Sequence, residues 1–214
     1  MSIQLYAFDT PNGRKISIAL EEMGLPYAVH IIDIGKGEQH TPEFLTISPN
    51  NKIPAIVDLD GPGGKAISVF ESGAILVYLA EKCGKFWPQD PAGHIATLEW
   101  LMFQMGSFGP IPGQVHHFIA MDDPDERNYG LARFMKETHR LYGVMDRRLA
   151  DNAYFAGKEL SIADFAILGW AWRHPWHKIE LADYPHVQRW YQALMARPGV
   201  TRGFAVPLRR AANI

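Results

Sequence analysis

The feature that most limits what this chain can fold into is the point where its strand signals stop. Over the first 83 residues, apolar runs of strand length alternate with segments of helical period. Beyond about residue 90 only helical patterns remain. That switch predicts two domains of different class, and 214 residues are enough for both. Ile3 to Phe8 is a short apolar run that reads as a buried strand, followed by a turn at Thr10-Pro11-Asn12-Gly13. Ile16, Ala19, Leu20 and Met23 then recur at i, i+3, i+4 and i+7, one helix face, and Gly24 and Pro26 end it. Tyr27 to Ile32 reads as a second strand, reached by a right-handed crossover and therefore parallel to the first. Thr41-Pro42-Glu43 opens a short helix. Pro54 to Asp58 and Ala66 to Phe70 read as strands joined through the turn-rich segment Asp60 to Lys65. Ser72 reads as the N-cap of a helix carrying Ile75, Leu76, Tyr78 and Leu79, which stops at Gly84. The expected order over residues 1–84 is βαβαββα.

Residues 84–91, with Gly84, Pro88 and Pro91, read as a linker. An all-helical domain is expected over 91–214, so the fold class is α/β plus all-α. Residues 93–107 are helical in composition, and Gly109-Pro110-Ile111-Pro112-Gly113 should kink or break that element. Leu131, Met135, Thr138, Tyr142, Met145 and Leu149 form a stripe that predicts a helix from Asp125 to Ala150. Ser161-Ile162-Ala163-Asp164 is a capping box that opens an apolar helix through Trp172. Pro185 to Met195 is a further helix, stopped by Pro198, and the tail after Pro207, with Arg209 and Arg210, is expected to be loose.

A net charge of -2 gives no overall field for nucleic acid or an anionic membrane, so any anionic ligand must be held by local groups. The single cysteine, Cys83, excludes a disulfide framework within the chain, a Cys-x-x-Cys pair and a cysteine-rich zinc site. It suits a reducing cytoplasm. Met-Ser-Ile-Gln-Leu-Tyr at the start has neither a basic nor an apolar leader region, and no apolar run approaches the ~20 residues of a membrane span. A cytoplasmic protein without nucleic-acid or membrane partners is expected. Cys83 closes a predicted helix, where the dipole opposes a thiolate, and is not read as a nucleophile. His116 and His117 are adjacent and point apart on most backbones, so no metal is expected. Trp170, Trp172, Trp176 and Trp190 read as core and groove residues, and Arg147-Arg148 as a solvated face.

The predicted layout, a βαβαββα half followed by helices, is that of the glutathione transferases, in which the first half is thioredoxin-like. Four segments carry the likeness further: Thr10-Pro11-Asn12-Gly13-Arg14-Lys15, Ser48-Pro49-Asn50-Asn51-Lys52-Ile53-Pro54-Ala55-Ile56, Phe70-Glu71-Ser72-Gly73-Ala74-Ile75 and Gly113-Gln114-Val115-His116-His117-Phe118. They resemble the nu-class bacterial enzymes, described as glutathione-dependent disulfide-bond oxidoreductases, to which the yeast nitrogen-catabolite regulator is also similar. The resemblance covers nearly the whole chain and fades after about Pro198.

The resemblance implies a site. A proline opening a strand removes one ladder donor and can be cis, and the family has a cis-proline at the position of Pro54. The Ile53 N–H and C=O would then face outward and pair with an extended tripeptide as an added strand. Ser72, at a helix start, would take the carboxylate of the γ-glutamyl end of glutathione, and Glu71 its ammonium. Gln39 and Lys52 match family residues near the glycyl carboxylate, although a loop lysine by itself is usually just solvated. Arg133 matches a position from which the neighbouring subunit reaches glutathione; by itself it reads as a charge on an exposed helix face. Asn12 is both a binding and a catalytic candidate. Glutathione's thiol must be held as a thiolate against a free pKa of about 8.5. Tyr6 lies within the first strand, and the following turn has no Ser or Cys. Thr10 and Asn12 are there instead, as hydrogen-bond donors aided by the helix dipole, and either can dominate. His116 and His117 match a segment lining the acceptor side.

The function so implied is glutathione-dependent reduction of a small disulfide, with oxidised glutathione as product or resident ligand and a homodimer as the assembly. The same thiolate could instead serve a transferase or peroxidase acting on electrophiles or hydroperoxides. The fold could also be a non-catalytic glutathione-binding regulatory module.

Overall fold

The computed structural model describes residues 2–206, 208 and 209. The chain divides into two compact units. The first holds β1 (Ile3–Ala7), α1 (Pro11–Met23), β2 (Tyr27–Ile31), α2 (Pro42–Ile47), β3 (Ala55–Asp58), β4 (Ile67–Phe70) and α3 (Ser72–Cys83). This is the expected βαβαββα order. The sheet order is β2-β1-β3-β4; β1 and β2 are parallel, and β3 runs antiparallel to both β1 and β4.

Periodicity explains the core. Ile3, Leu5 and Ala7 alternate inward along β1, against Ile16, Ala19 and Leu20 of α1 and Ile75, Leu76 and Leu79 of α3, all buried. Each fully buried Ile or Leu among these contributes about 1.5–3 kcal/mol. On the opposite face of β1, Tyr6 stacks on His30 at 4.6 Å and tilts against Phe44 at 6.5 Å. Gly24 ends α1 in the left-handed conformation (φ 71°), which the pairing with Pro26 had predicted.

The second unit, Phe86–Ala196, holds α4 (Pro91–Phe103), α5 (Pro110–Ile119), α6 (Pro124–Ala150), α7 (Ile162–Ala171) and α8 (Pro185–Met195). A π-helical turn, Gln104–Phe108, follows α4. The Gly109–Gly113 run interrupts the helix as expected but also starts α5, because Pro110 and Pro112 fall in a first turn whose N–H groups no helical bond requires. The capping box at Ser161 is present. Asp164 accepts from the Ser161 N–H and hydroxyl (both 3.0 Å), the Phe155 N–H (3.0 Å) and Trp190 Nε1 (2.9 Å). Burial pushes its carboxyl pKa up, and these hydrogen bonds oppose the shift.

The two compact units are bounded differently from the expected domains. The expected linker, 84–91, is divided between the units, with the border between Lys85 and Phe86. Phe86 O accepts from Ile162 N–H, and Trp87 is buried. The described residues from Arg197 on group with the first unit and not with the helical one. They form α9 (Pro198–Ala205), a helix the sequence does not announce, since Pro198 reads there only as the stop of the helix before it. Here Pro198 is the first helical residue and starts an element. Arg197 Nη2 lies 2.6 Å from Glu22 Oε2, and Val200 N–H donates to Glu22 Oε1 at 3.1 Å. Arg14 Nη1 and Ser17 Oγ donate to the Gly203 carbonyl at 3.3 and 2.8 Å. A Cβ at Gly203 would lie 2.5 Å from Ile18 Cα, so glycine permits this closeness of α9 to α1. Most of the tail expected to be loose, including Arg210, lies outside the described residues. Of the part described, Leu208 is buried and Arg209 Nε lies 3.0 Å from Asp9 Oδ2.

Candidate functional site

Three local structures of the first unit build the site. The first is the start of α1. Thr10 is its N-cap, and the Thr10 Oγ1 accepts the Gly13 N–H at 3.1 Å. That bond uses a lone pair and leaves the hydroxyl proton to donate elsewhere. Position 13 must be glycine, since a Cβ there would lie 2.3 Å from the Phe8 carbonyl oxygen. Asp9 braces the loop between Arg14 (2.8 Å) and Arg209 (3.0 Å).

The second is the approach to β3. Ser48 Oγ donates to the Lys52 carbonyl at 2.9 Å, Asn51 takes a left-handed backbone (φ 46°), and the Ile53–Pro54 bond is cis. Among the described residues no backbone hydrogen bond engages Ile53; the β3 ladder begins at Ala55.

The third is the turn from β4 into α3. Here one expectation fails: Ser72 is not the N-cap but the first helical residue. Glu71 is the cap, in a left-handed backbone (φ 67°, ψ 118°) that turns the chain sharply off the sheet, and its side chain makes no capping bond. Glu71 Oε1 instead accepts from Asn50 Nδ2 at 3.2 Å.

These structures converge on a cavity of about 50 Å³, lined by Asn12, Lys52, Ile53, Pro54, Glu71 and Ser72 together with Ser48 and Phe70. Thr10 and Gln39 do not line it. Gln39 sits in a 3₁₀ turn (Glu38–His40), its Oε1 buried without a hydrogen-bond partner. Arg133 lies in the second unit, on the exposed face of α6, in a groove of about 1080 Å³ with Tyr129, Lys136, Arg140 and Arg147.

Against known proteins, residues 10–82 match the glutathione S-transferase N-terminal domain and residues 112–198 the glutathione S-transferase C-terminal domain. The chain belongs to the glutathione S-transferase family. It is 48% identical over 199 residues to the disulfide-bond oxidoreductase YfcG of Escherichia coli, spanning 92% of this chain and 91% of that one. A glutathione transferase from Burkholderia graminis, solved with two glutathione molecules per subunit, superposes with a TM-score of 0.90. It is 44% identical, with 97% of this chain and 89% of that one covered. One from Pseudomonas putida, solved with one glutathione disulfide per subunit, gives a TM-score of 0.89 at 44% identity, covering 96% and 91%.

Within the motifs of this family member, Lys15 and Ser48 carry no role of their own in the sequence. Lys15 is buried, and its Nζ lies 3.2 Å from Ser72 Oγ. Burial pushes its ammonium pKa down to about 7, with the Glu71 carboxylate opposing the shift. The signal was present: Lys15 precedes Ile18 and Ala19 by three and four residues, on the inward side of α1. Ser48, which ties the Lys52 carbonyl, was quoted only as part of a motif.

In the second unit of this transferase, His117 is exposed, whereas His116 turns inward. Its ring lies 4.8 Å from that of His177 and 5.8 Å from that of Trp170. His177 Nδ1 meets the Tyr142 hydroxyl at 3.3 Å. Trp190 is core, as expected, but Trp176 is largely exposed. Burial, then the Arg173 charge, pushes the His116 pKa down to about 4; burial, then His116 and other neighbouring cations, pushes His177 to about 3. Unfolded histidines protonate near 6.5. The unfolded chain therefore takes up protons first as pH falls, and stability is lost from about pH 6.5 down towards 4 and 3. The steepest loss is about 1.4 kcal/mol per pH unit per histidine. Urea midpoints should drop between pH 7.5 and 5, and His177→Gln should flatten that drop. An unchanged slope in the variant would exclude His177 as a source of the acid sensitivity.

Proposed function

We propose that this protein is a glutathione-dependent disulfide reductase whose cavity in the first unit takes the γ-glutamyl end of glutathione. The carrying observation is that a carboxylate, Glu71, and a helix-start hydroxyl, Ser72, stand side by side on one wall of the cavity, which Ile53 also lines. Those groups complement an ammonium and a carboxylate on one carbon. At about 50 Å³ the cavity is far below the ~300–1,000 Å³ of pockets that enclose a whole small ligand. It suits a charged end group, with the rest of the tripeptide lying as an added strand along Ile53. Lys52 and Gln39 serve the glycyl carboxylate, and Arg133 reaches glutathione from the neighbouring subunit of a homodimer. Thr10 and Asn12 donate to the thiolate at the start of α1.

The thiolate of bound glutathione attacks one sulfur of the acceptor disulfide. A new S–S bond forms, the acceptor S–S bond breaks, and the leaving thiolate takes a proton. A second glutathione thiolate then attacks the glutathione sulfur of the mixed disulfide and releases the second acceptor thiol. Two glutathiones are oxidised to one glutathione disulfide, and one disulfide is reduced to two thiols. The two relatives described above, one with two glutathiones and one with glutathione disulfide, support room for both thiol partners. Among the described residues no helix is long and apolar enough to cross a membrane, and we place this chemistry in a reducing cytoplasm.

The test is glutathione-dependent reduction of a small model disulfide, coupled through glutathione reductase to NADPH loss. It is run beside a chloronitrobenzene and an organic hydroperoxide. Disulfide turnover above both others supports the reading. Faster conjugation or peroxidase turnover assigns the thiolate to those reactions, and glutathione binding without turnover assigns the protein to regulation. Glu71→Gln is expected to raise the KM for glutathione by about 10- to 100-fold, the worth of a charge-assisted hydrogen bond, with kcat changed little. A fall in kcat at unchanged KM would remove Glu71 from ground-state binding.

A further inference from the structure

We infer that Asp9 is a positioning residue: through the buried Arg14 it fixes the turn that presents the Thr10 hydroxyl, and so ties the thiolate site to the end of α9. The inference rests on the reading of Thr10 as a thiolate donor and names the groups that hold that donor in place.

Thr10 Oγ1 accepts the Gly13 N–H at 3.1 Å, so the hydroxyl oxygen is fixed relative to its own backbone and goes where that backbone goes. Two bonds hold the backbone. The Thr10 N–H donates to the Phe8 carbonyl at 2.8 Å, closing a three-residue turn with Asp9 at its centre. The Thr10 carbonyl accepts the Arg14 N–H at 3.0 Å. The Arg14 side chain returns to the same turn, where its Nε and Nη2 lie 3.0 and 2.8 Å from Asp9 Oδ1. Arg14 therefore grips Thr10 from both sides, by its main chain and through Asp9. The grip is anchored at its far end. Arg14 Nη1 donates to the Val206 and Gly203 carbonyls at 2.7 and 3.3 Å. The Gly203 carbonyl needs such a donor, because the residue four positions on is Pro207, which has no N–H to offer. Every guanidinium nitrogen is thus engaged, and Arg14 is only 8% exposed, so water competes little for the pair. Arg209 also meets Asp9, at Oδ2, but its side chain is largely exposed, and a pair of that kind contributes little. A carboxylate beside a thiolate donor is otherwise unfavourable, since its charge raises a thiol pKa. The hold on Arg14 accounts for its place here.

The experiment measures kcat and KM for disulfide reduction and titrates the bound glutathione thiol through the ultraviolet absorbance of its thiolate. Asp9→Ala should lower kcat by about 10-fold, leave the KM for glutathione within about 2-fold and raise the thiol pKa by about one unit. The sign of that last shift separates positioning from charge: deleting a nearby carboxylate lowers a thiol pKa if charge alone acts. Asp9→Asn keeps an oxygen acceptor for Arg14 and should recover kcat to within about 3-fold. In a Thr10→Ala background, adding Asp9→Ala should cost less than about 2-fold, because Asp9 acts through Thr10. An unchanged or lowered thiol pKa, an unchanged kcat, or full additivity with Thr10→Ala would each overturn the inference. Full turnover in Thr10→Ala would instead overturn the reading of Thr10 itself, whatever Asp9 does. Near-ultraviolet circular dichroism checks the fold, and Asp9→Ser is the second variant should Asp9→Ala fail to fold.

Discussion

Thr10→Ala is expected to lower the turnover of disulfide reduction by about 100-fold while glutathione affinity changes by no more than about 3-fold, the pattern of a lost donor to developing or held negative charge. Thr10 has a second role: its Oγ1 accepts the Gly13 N–H at 3.1 Å, so the residue caps α1 besides being the thiolate donor we propose. Loss of a cap costs about 1 kcal/mol of stability, a drop of about 2–4 °C in Tm for a chain of this size. Thr10→Ser keeps both roles and should keep both turnover and Tm. Thr10→Ala should lose both, the first far more than the second. Asn12 lines the cavity where Thr10 does not, so Asn12→Ala measured alongside ranks the two donors. Equal loss of turnover and affinity in Thr10→Ala, or loss of neither, would take the thiolate away from Thr10. Electrophile conjugation should fall in parallel, because the thiolate is common to both reactions.

The second large effect concerns stability. Gly203→Val is expected to cost at least about 3 kcal/mol and to lower Tm by roughly 6–12 °C. A Cβ at Gly203 would stand 2.5 Å from Ile18 Cα and 2.8 Å from Ile18 N, backbone atoms that no rotamer change can move. The helices would have to separate, pulling the Gly203 carbonyl from Arg14 and Ser17. Gly130 sets a useful contrast. Its added Cβ would overlap the ring of Phe118, a half-buried side chain rather than backbone. Gly143, in the interior of α6 with nothing nearer than Arg147 at 3.5 Å, is the control. Gly143→Ala should be neutral or stabilising by up to about 1 kcal/mol. Thermal denaturation of the two variants tests the contrast; a Gly203→Val protein as stable as Gly143→Ala would mean that α9 does not sit on α1 in solution.

Much of the first unit was legible because its signals are local. Period-two burial in β1, the Ile16–Met23 face, the Gly24 stop and the Thr41-Pro42 start depend on neighbours within one or two turns. The site motifs at Ile53-Pro54 and Glu71-Ser72 were legible as types but not as geometry: Ser72 has the composition of an N-cap, yet the left-handed turn at Glu71 makes that residue the cap. Lys15 reads as an inward position of α1, but its contact with Ser72, 57 positions away, is not legible within the helix. The destination of α9 was illegible for the same reason. Pro198 carries both a stop signal for α8 and a start signal for α9, and the groups that say where the second helix goes are far off in sequence, as Glu22 is 175 positions from Arg197. In the second unit, Pro110 and Pro112 read as a break, and only the absence of any need for their N–H groups makes them a beginning.

That return of the last helix sets an order of events during synthesis. Domains generally fold as they leave the ribosome, N-terminal parts first. Here the first unit is out first yet waits, because α9, which covers the Arg14, Ser17 and Ile18 side of α1, is translated only after residues 86–196. At about 5–20 residues per second that interval lasts roughly 5–20 s. Throughout it, the unit carrying the cavity lacks one of its own helices. A chain halted before Arg197 would therefore leave the sheet unit with one side of α1 bare, a natural handle for chaperones or proteases that survey nascent chains.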